Sequence, residues 1–264
     1  QKTAYEMCGR DWSSDVCSSD LTAELDALAD PDLGSDRATA AQAVIEGHAT
    51  LVMLEHMTET MTGSPVDLAA VPDFARQLRP ALEGMVGQFP ALQAAPRVIR
   101  EGLLFPYLEG AGFVQSLWVR EGRISPFGDA LPLTTEDILG SGSLDAPIEP
   151  VLTASDDARA VLSDGLGRFE LGIWLEDVLG LTGSAVADAW AGDRYTLFEH
   201  GSGERSLAAC FVWDTAAAAD AFEAAVGSTL GPPVSVTRTE VENKPATLLR
   251  VGGPASVLFS VGPS

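Results

Sequence analysis

The spacing of apolar residues predicts helices in the first half of the chain. Apolar positions recur with helical periodicity over three long stretches and one short capped segment. The predicted helices run from Ser35 or Asp36 to about Met61, from about Pro72 to Val86, over residues 96–122, and over residues 133–140. Pro106 lies inside the third stretch, so that helix is expected to kink or break there.

The second half changes from helical spacing to shorter runs between turn residues. Helices are predicted over residues 156–163, 167–180 and 184–192, and an alanine-rich helix capped by Asp214 or Thr215 is predicted to end at Gly227. Strands are predicted over residues 194–199, 205–213, 234–241, 246–251 and 256–261. This order predicts an antiparallel sheet of about five strands that carries helices. The predicted fold class is therefore α+β, with a mostly helical part first.

The charge of the chain excludes several classes of partner. Its 264 residues include 16 Lys and Arg against 38 Asp and Glu, which gives a formal net charge of -22. Nucleic acids and anionic membrane surfaces are bound by clustered basic side chains, so neither is an expected partner. No uncharged apolar run reaches the roughly 18 residues that a spanning helix needs, so no membrane-spanning segment is expected.

The first residues are expected to be non-native. Residues 11–21, and residues 1–6 before them, resemble the translation of a sequencing-library adapter. Residues 1–21 are therefore left out of the fold prediction. The rest of the chain is predicted to divide into a helical part, residues 22–140, and an α+β part, residues 150–264, with a linker-like stretch between them.

Few side chains beyond residue 21 are typical of metal or nucleophilic chemistry. Cys210 is the one cysteine there, and its apolar surroundings predict a core residue. His48 and His56 are eight residues apart on one helix, whereas two ligands of one metal on a helix face are four apart. His200 lies in a turn beside a glycine, where an exposed side chain is expected. A structural role is expected for each histidine, and the sequence contains no HExxH motif.

Glu46 stands within a nearly continuous apolar helix, in the sequence Ile45-Glu46-Gly47-His48-Ala49. A carboxylate buried there needs a cation, hydrogen-bond donors or an opening to solvent. Gly47 lowers helix stability, which indicates that another group approaches the helix backbone closely. Two interpretations stay open at this point: Glu46 is a paired or half-exposed side chain, or it is a functional ligand.

Four sequence blocks resemble, in the same order, a family of secreted or surface-attached prokaryotic zinc metallopeptidases. They are the helix around Glu46-Gly47, the stretch 104–114 with its LFPYLEG sequence, Thr135 to Leu139, and Trp190 to Tyr195. The resemblance covers most of residues 22–213. It implies that the helical part is an incomplete zincin-like domain and that the protein is secreted or lies on the cell surface.

In that family, the glutamate that matches Glu46 is the third zinc ligand, and an upstream HExxH helix supplies two histidines and the general base. Such a site leaves zinc an open position for the water that attacks a peptide bond. The resemblance therefore implies zinc and a peptide or protein substrate for the full-length parent. Because this chain lacks HExxH, we expect it to be inactive as given, with no cofactor of its own and with Glu46 as an orphan ligand. Two further departures are His48 in place of the family's aspartate and Gly140-Ser141 in place of its His-Pro.

Two other hypotheses remain beside a metallopeptidase-like parent. One is a non-catalytic surface or ligand-binding protein that keeps the fold, which the change to His48 favours. The other is a plain structural domain in which an arginine pairs with Glu46. If the chain lacks the helix that bears the histidines, the helix over residues 41–61 is expected to expose apolar surface and to favour self-association.

The remaining candidates are expected to be structural. Met53, Met57 and Met61 recur at helical spacing, which predicts core packing.

Tyr107 and Glu109 lie in an apolar run and are expected in the core rather than in a substrate cleft. Asp193 and Arg194 are expected to form an ion pair that fixes the start of a strand.

Overall fold

The computed structural model describes residues 33–140, 146–155, 158–180, 185–253 and 258–262. The segment that is expected to derive from an adapter, residues 1–21, lies outside these ranges.

Seven helices occur in the described residues. They are α1 (Ser35–Thr62), α2 (Phe74–Val86), α3 (Pro90–Gln93), α4 (Arg97–Glu121), α5 (Thr135–Leu139), α6 (Gly167–Asp177) and α7 (Ala216–Thr229). Helix α4 continues through Pro106 and does not break there, because Phe105 and Leu108 on either side are buried in the core. Within the described ranges, no helix is both long enough and apolar enough to cross a membrane.

Strands β1 to β7 form two antiparallel sheets in the described residues. They are β1 (Val151–Ala154), β2 (Arg159–Asp164), β3 (Trp190–Glu199), β4 (Arg205–Trp213), β5 (Val234–Val241), β6 (Lys244–Gly252) and β7 (Phe259–Gly262). Five of them form a sheet in the order β2-β3-β4-β6-β5, whereas β1 and β7 pair with each other in a two-stranded ribbon. The α+β fold class is confirmed.

Helices α1 and α4 cross at a point where two glycines meet. The backbone of Gly47 lies against Gly110 and Ala111, and the backbone of Gly110 lies against Ala43. The close approach predicted from Gly47 is therefore confirmed. Because no side chain separates the helices there, apolar residues on both sides of the crossing form one core. Its buried members include Val44, Leu51, Phe105, Ala111, Val114 and Trp118.

The five-stranded sheet is covered on both faces. Helices α6 and α7 cover one face, where Phe222 packs against Phe211 and Trp213 at ring-centroid distances of 5.0 and 5.3 Å. The β1–β7 ribbon covers the other face, which contains Cys210. Cys210 is fully buried there, which confirms the prediction of a core residue.

The helix predicted over residues 156–163 is wrong, because residues 159–164 form strand β2 at the edge of the sheet. Alanine, leucine and arginine favour a helix locally, but pairing with a neighbouring strand overrides this preference. The pairing places the Arg159 guanidinium 2.6 Å from the Glu199 carboxylate, on β3. The predicted strand over residues 256–261 is represented by β7, which pairs with β1 and does not join the five-stranded sheet.

The helix predicted over residues 184–192 is also wrong. Residues Ala187–Ala189 form a single 3-10 turn, and strand β3 begins at Trp190. The backbone carbonyls in this stretch are bound by distant partners, since Ala189 O accepts from Asp214 N and Ala191 O accepts from Ile148 N. These hydrogen bonds tie the stretch to distant segments, and strand β3 already begins within it.

Candidate functional site

Glu46 lies half-buried on the solvent side of α1. Residues spaced three or four apart from it share the same helix face, and several of them are exposed and apolar. This exposed apolar face consists of Ala49, Val52, Met53, Met57 and Met61. Glu46 is thus a carboxylate at one end of an apolar helix surface.

Tyr107 on α4 is a polar neighbour of Glu46. The hypothesis of a plain structural domain had instead paired Glu46 with an arginine. Burial raises the pKa of the Tyr107 phenol, and the nearby Glu46 carboxylate raises it further. Tyr107 is 38% exposed, so its expected place in the core is wrong. Glu109 is also at the surface, where its carboxylate lies 3.2 Å from the Arg79 guanidinium.

His48 points away from Glu46 into an aromatic contact. Its ring makes edge-to-face contacts with Trp118 and Phe127, at centroid distances of 5.7 and 5.4 Å. Burial lowers the pKa of His48, although the nearby Glu55 carboxylate opposes this shift. The neutral ring therefore serves as a packing residue, and the structural role expected for His48 agrees with these contacts.

The described residues do not fit a zinc ion by themselves. No group of three His, Cys, Asp or Glu side chains that could hold a metal occurs among them. Glu46 would supply a single carboxylate, whereas a catalytic zinc site takes three protein ligands. No catalytic step through a metal can therefore be assigned to these residues.

The methionines of α1 are not core residues. Met53, Met57 and Met61 are 52%, 48% and 82% exposed, so the core packing predicted from their spacing is wrong. Helical spacing shows that they share a face, but it does not show which face is buried. The exposure agrees with the expectation that this helix presents uncovered apolar surface.

We expect the double substitution Met53→Gln and Met57→Gln to lower binding of a hydrophobic dye by about half, because it removes the centre of the exposed apolar face. The free energy of unfolding should change by less than about 0.5 kcal/mol per site, since both side chains are exposed. Met85→Gln on α2 is the matched control, because Met85 is similarly exposed on a different helix. Equal dye binding by the wild type and the double variant would contradict this expectation.

His200 is buried, so its expected exposure in the turn is wrong. Its Nε2 atom lies 2.7 Å from the Ser206 hydroxyl, and the two residues are 4% and 2% exposed. Gly253 packs against both side chains. A Cβ on Gly253 would lie only 2.6 Å from the Cβ of Ser206. The residues that cover His200 are distant in sequence, which is why the turn itself gave no signal of burial.

Asp193 and Arg194 have different partners, so they do not form the predicted structural pair. The buried Asp193 carboxylate accepts hydrogen bonds from Leu166 N, Gly167 N and Trp190 Nε1. Arg194 instead pairs with Glu149. Asp193 nevertheless fixes the start of β3, because it ties that strand to the first turn of α6.

Sequence reasoning missed a set of acidic side chains between the helical part and the α+β part. Asp36, at the start of α1, lies near Thr135 and Asp193. Glu136, in α5, lies near Arg168 in the first turn of α6. Burial raises the pKa of Asp36 and of Glu136 each to about 7. The sequence predicted a short capped helix over residues 133–140, and α5 does begin with a capping box at Thr134 and Asp137, but nothing in the sequence indicated that Glu136 is buried.

A sequence family described as "Domain of unknown function (DUF8575)" matches residues 156–253 of the chain. The matched region contains α6, α7 and the five-stranded sheet, so the α+β part is similar to this family. No curated protein and no solved structure matches the chain.

Proposed function

We propose that this chain is part of a zinc metallopeptidase-like secreted or surface protein in which Glu46 is one of the zinc ligands. The chain itself is inactive under this proposal, because the two histidines and the general base come from a segment upstream of Thr22. Peptides or proteins are the substrate class of the parent.

The observation that supports the proposal best is the position of Glu46 on α1. Glu46 is half-buried beside the exposed apolar face, and its carboxylate is close enough to Tyr107 to raise the pKa of that phenol. A helix that packs on this face would bring its own side chains towards Glu46. Tyr107 would then hold the carboxylate in one orientation, as hydrogen-bonded partners of metal ligands do.

The experiment begins with the source locus, read upstream of the codon for Thr22, and with the protein expressed from that longer reading frame. We expect an in-frame HExxH sequence and one zinc ion per chain, measured by elemental analysis. Glu46→Gln should weaken zinc binding at least about tenfold, since it removes a charged ligand. Glu59→Gln, an exposed glutamate on the same helix, is the matched control and should leave zinc affinity unchanged.

Absence of zinc from the longer protein, with both upstream histidines intact, would overturn the proposal. Unchanged zinc affinity in Glu46→Gln would remove Glu46 from the site. A longer reading frame without HExxH would favour the non-catalytic surface or ligand-binding protein instead.

A further inference from the structure

Two neighbouring cavities lie along residues 146–152, which lead into β1. The larger has a volume of about 500 Å³ and is bordered by the starts of α1, α6 and β3. The smaller, of about 240 Å³, lies between β1 and the strands β2 and β3. Glu149 and Arg194 line both cavities, and their side chains form an ion pair. This ion pair therefore lies where the two cavities adjoin.

The aspartates that line the larger cavity already accept hydrogen bonds from the protein. Asp164 accepts from Ser35 N and Ser35 Oγ at 3.0 and 2.8 Å, and from Gly165 N at 2.8 Å. Asp193 accepts three hydrogen bonds, and Asp36 accepts two. The acceptors at this cavity are thus largely occupied by donors of the chain itself.

The arginines at the same cavity have N–H groups that no acceptor of the protein uses. Arg37, in the first turn of α1, is exposed and makes no hydrogen bond or ion pair within the part of the chain that the structure describes. Arg194 pairs with Glu149, whose side chain is 58% exposed. Because a guanidinium carries five N–H donors, both arginines can bind a further acceptor.

The larger cavity also has an apolar lining. Its apolar side chains are Leu33, Leu133, Ile148 and Trp190. A cavity of this volume accepts a small organic molecule, and such sites combine apolar walls with a few polar groups that orient the ligand. The unused N–H groups and the apolar walls together fit a ligand that has an acceptor group on an apolar body.

A carboxylate is the acceptor group that fits this cavity best. Its two oxygens match the planar fork of a guanidinium through two parallel hydrogen bonds. A phosphate also accepts from arginine, but it carries more negative charge, and four carboxylates line this cavity. Because they repel a dianion more strongly than a monoanion, charge favours a ligand with a single carboxylate.

We propose that the larger cavity binds a monocarboxylate with an apolar body, and that Glu149 competes with this ligand for Arg194. The ligand carboxylate pairs with the Arg194 guanidinium, and Arg37 supplies a second positive charge at the same cavity. The C-terminus of a peptide and a free organic acid share this chemistry. Neither Glu46 nor zinc takes part in this binding, so its test is independent of that of the zinc site.

Glu149 can leave Arg194 at little cost in free energy. An ion pair with an exposed partner contributes little to stability, because water solvates the carboxylate when the pair opens. A ligand carboxylate that reaches Arg194 also places its apolar body against the cavity walls, which the Glu149 side chain does not. Glu149 is thus an internal substitute for the ligand carboxylate, and removing its charge should strengthen binding.

A nuclear magnetic resonance titration of the whole chain tests this binding. The probes are N-acetyl-L-leucine, which represents a peptide C-terminus, and hexanoate, which represents a free organic acid. We expect saturable shifts of the Trp190 indole N–H and the Gly165 amide, with a Kd on the order of 1 mM for ligands of this size. N-acetyl-L-leucinamide has the same body without the charge, and it should bind at least about tenfold more weakly.

Two variants at exposed positions test the charges. Arg37→Gln should weaken binding of the carboxylates about fivefold, and Glu149→Gln should strengthen it about two- to fivefold. Arg120→Gln, at an exposed arginine near the end of α4, is the matched control for the first variant. Glu240→Gln, at an exposed glutamate on β5, is the control for the second, and both controls should leave the affinity unchanged.

Shifts that do not saturate with either carboxylate, or equal affinity for the neutral amide, would overturn the proposal. Tighter binding of L-leucinamide, a cation, would also overturn it, because the four carboxylates would then determine the ligand. Unchanged affinity in Glu149→Gln would refute the competition for Arg194. Tighter binding of N-acetyl-L-leucine than of hexanoate would identify the ligand as a peptide C-terminus, and the reverse order would identify a free organic acid.

Discussion

Replacing Gly110 by alanine is expected to lower the free energy of unfolding by about 3 kcal/mol or more. A Cβ at this position would lie 1.9 Å from the carbonyl oxygen of Ala43 and 2.6 Å from its carbonyl carbon. Backbone atoms of a helix cannot rotate away as a side chain can, so α1 and α4 would have to separate. Separation would loosen the core on both sides of the crossing, including Phe105 and Val114.

Gly102→Ala provides the matched control, because it makes the same chemical change in the same helix. Nothing lies within 4 Å of a Cβ on Gly102, so the higher helix propensity of alanine should stabilise the protein by about 0.5–1 kcal/mol. Denaturant unfolding of the two variants measures both effects. If Gly110→Ala were as stable as Gly102→Ala, the close crossing of α1 and α4 would be incorrect.

Asp193→Ala is expected to destabilise the protein by about 3–5 kcal/mol, because it leaves three donors without their acceptor in a buried site. These donors are Leu166 N at 2.7 Å, Trp190 Nε1 at 2.9 Å and Gly167 N at 3.0 Å. The first turn of α6 and the start of β3 would lose their connection together. Thermal or denaturant unfolding measures the loss.

Two further variants separate the role of these hydrogen bonds from that of charge. Asp193→Asn keeps one acceptor oxygen and should recover part of the stability, whereas Asp220→Ala, at an exposed position, should change it by less than about 0.5 kcal/mol. A loss in Asp193→Ala no larger than in Asp220→Ala would show that the three donors find other acceptors.

The long helices could be predicted from sequence because their signals are local. Helix α1 was predicted from Ser35 or Asp36 to about Met61 and occupies Ser35–Thr62, ending at Gly63 with a left-handed φ of 71°. Strand β4 was predicted and found over residues 205–213. In both cases the periodicity extends over many residues and turn residues mark the ends.

The errors occurred where distant residues decide the structure. Residues 159–164 have the composition of a helix, but the free edge of β3 makes them a strand. His200 has the surroundings of an exposed turn, but Ser206 and Gly253 bury it. Neither effect is visible within a short sequence window.

In the candidate site, too, the local features could be predicted from sequence and the contacts between distant residues could not. The sequence indicated Glu46 and the close approach at Gly47, because a charged residue and a glycine are both unusual inside an apolar helix. It could not indicate that Tyr107 would be the neighbour of Glu46, since that contact depends on the angle between α1 and α4. The acidic side chains around Asp36 were missed for the same reason, because Asp36 and Thr135 are 99 residues apart.

The β1–β7 ribbon determines how the α+β part would respond to a pulling force. Val151 pairs with Gly262 at one end of the ribbon, and Ala154 pairs with Phe259 at the other. A pull applied at Val151 and Gly262 therefore loads the four residue pairs one after another, as in opening a zip, and not all at once in shear. Once the pairs have opened, each strand would be held on the sheet only by its own side chains, such as Leu152 and Phe259, which pack over the face that contains Cys210.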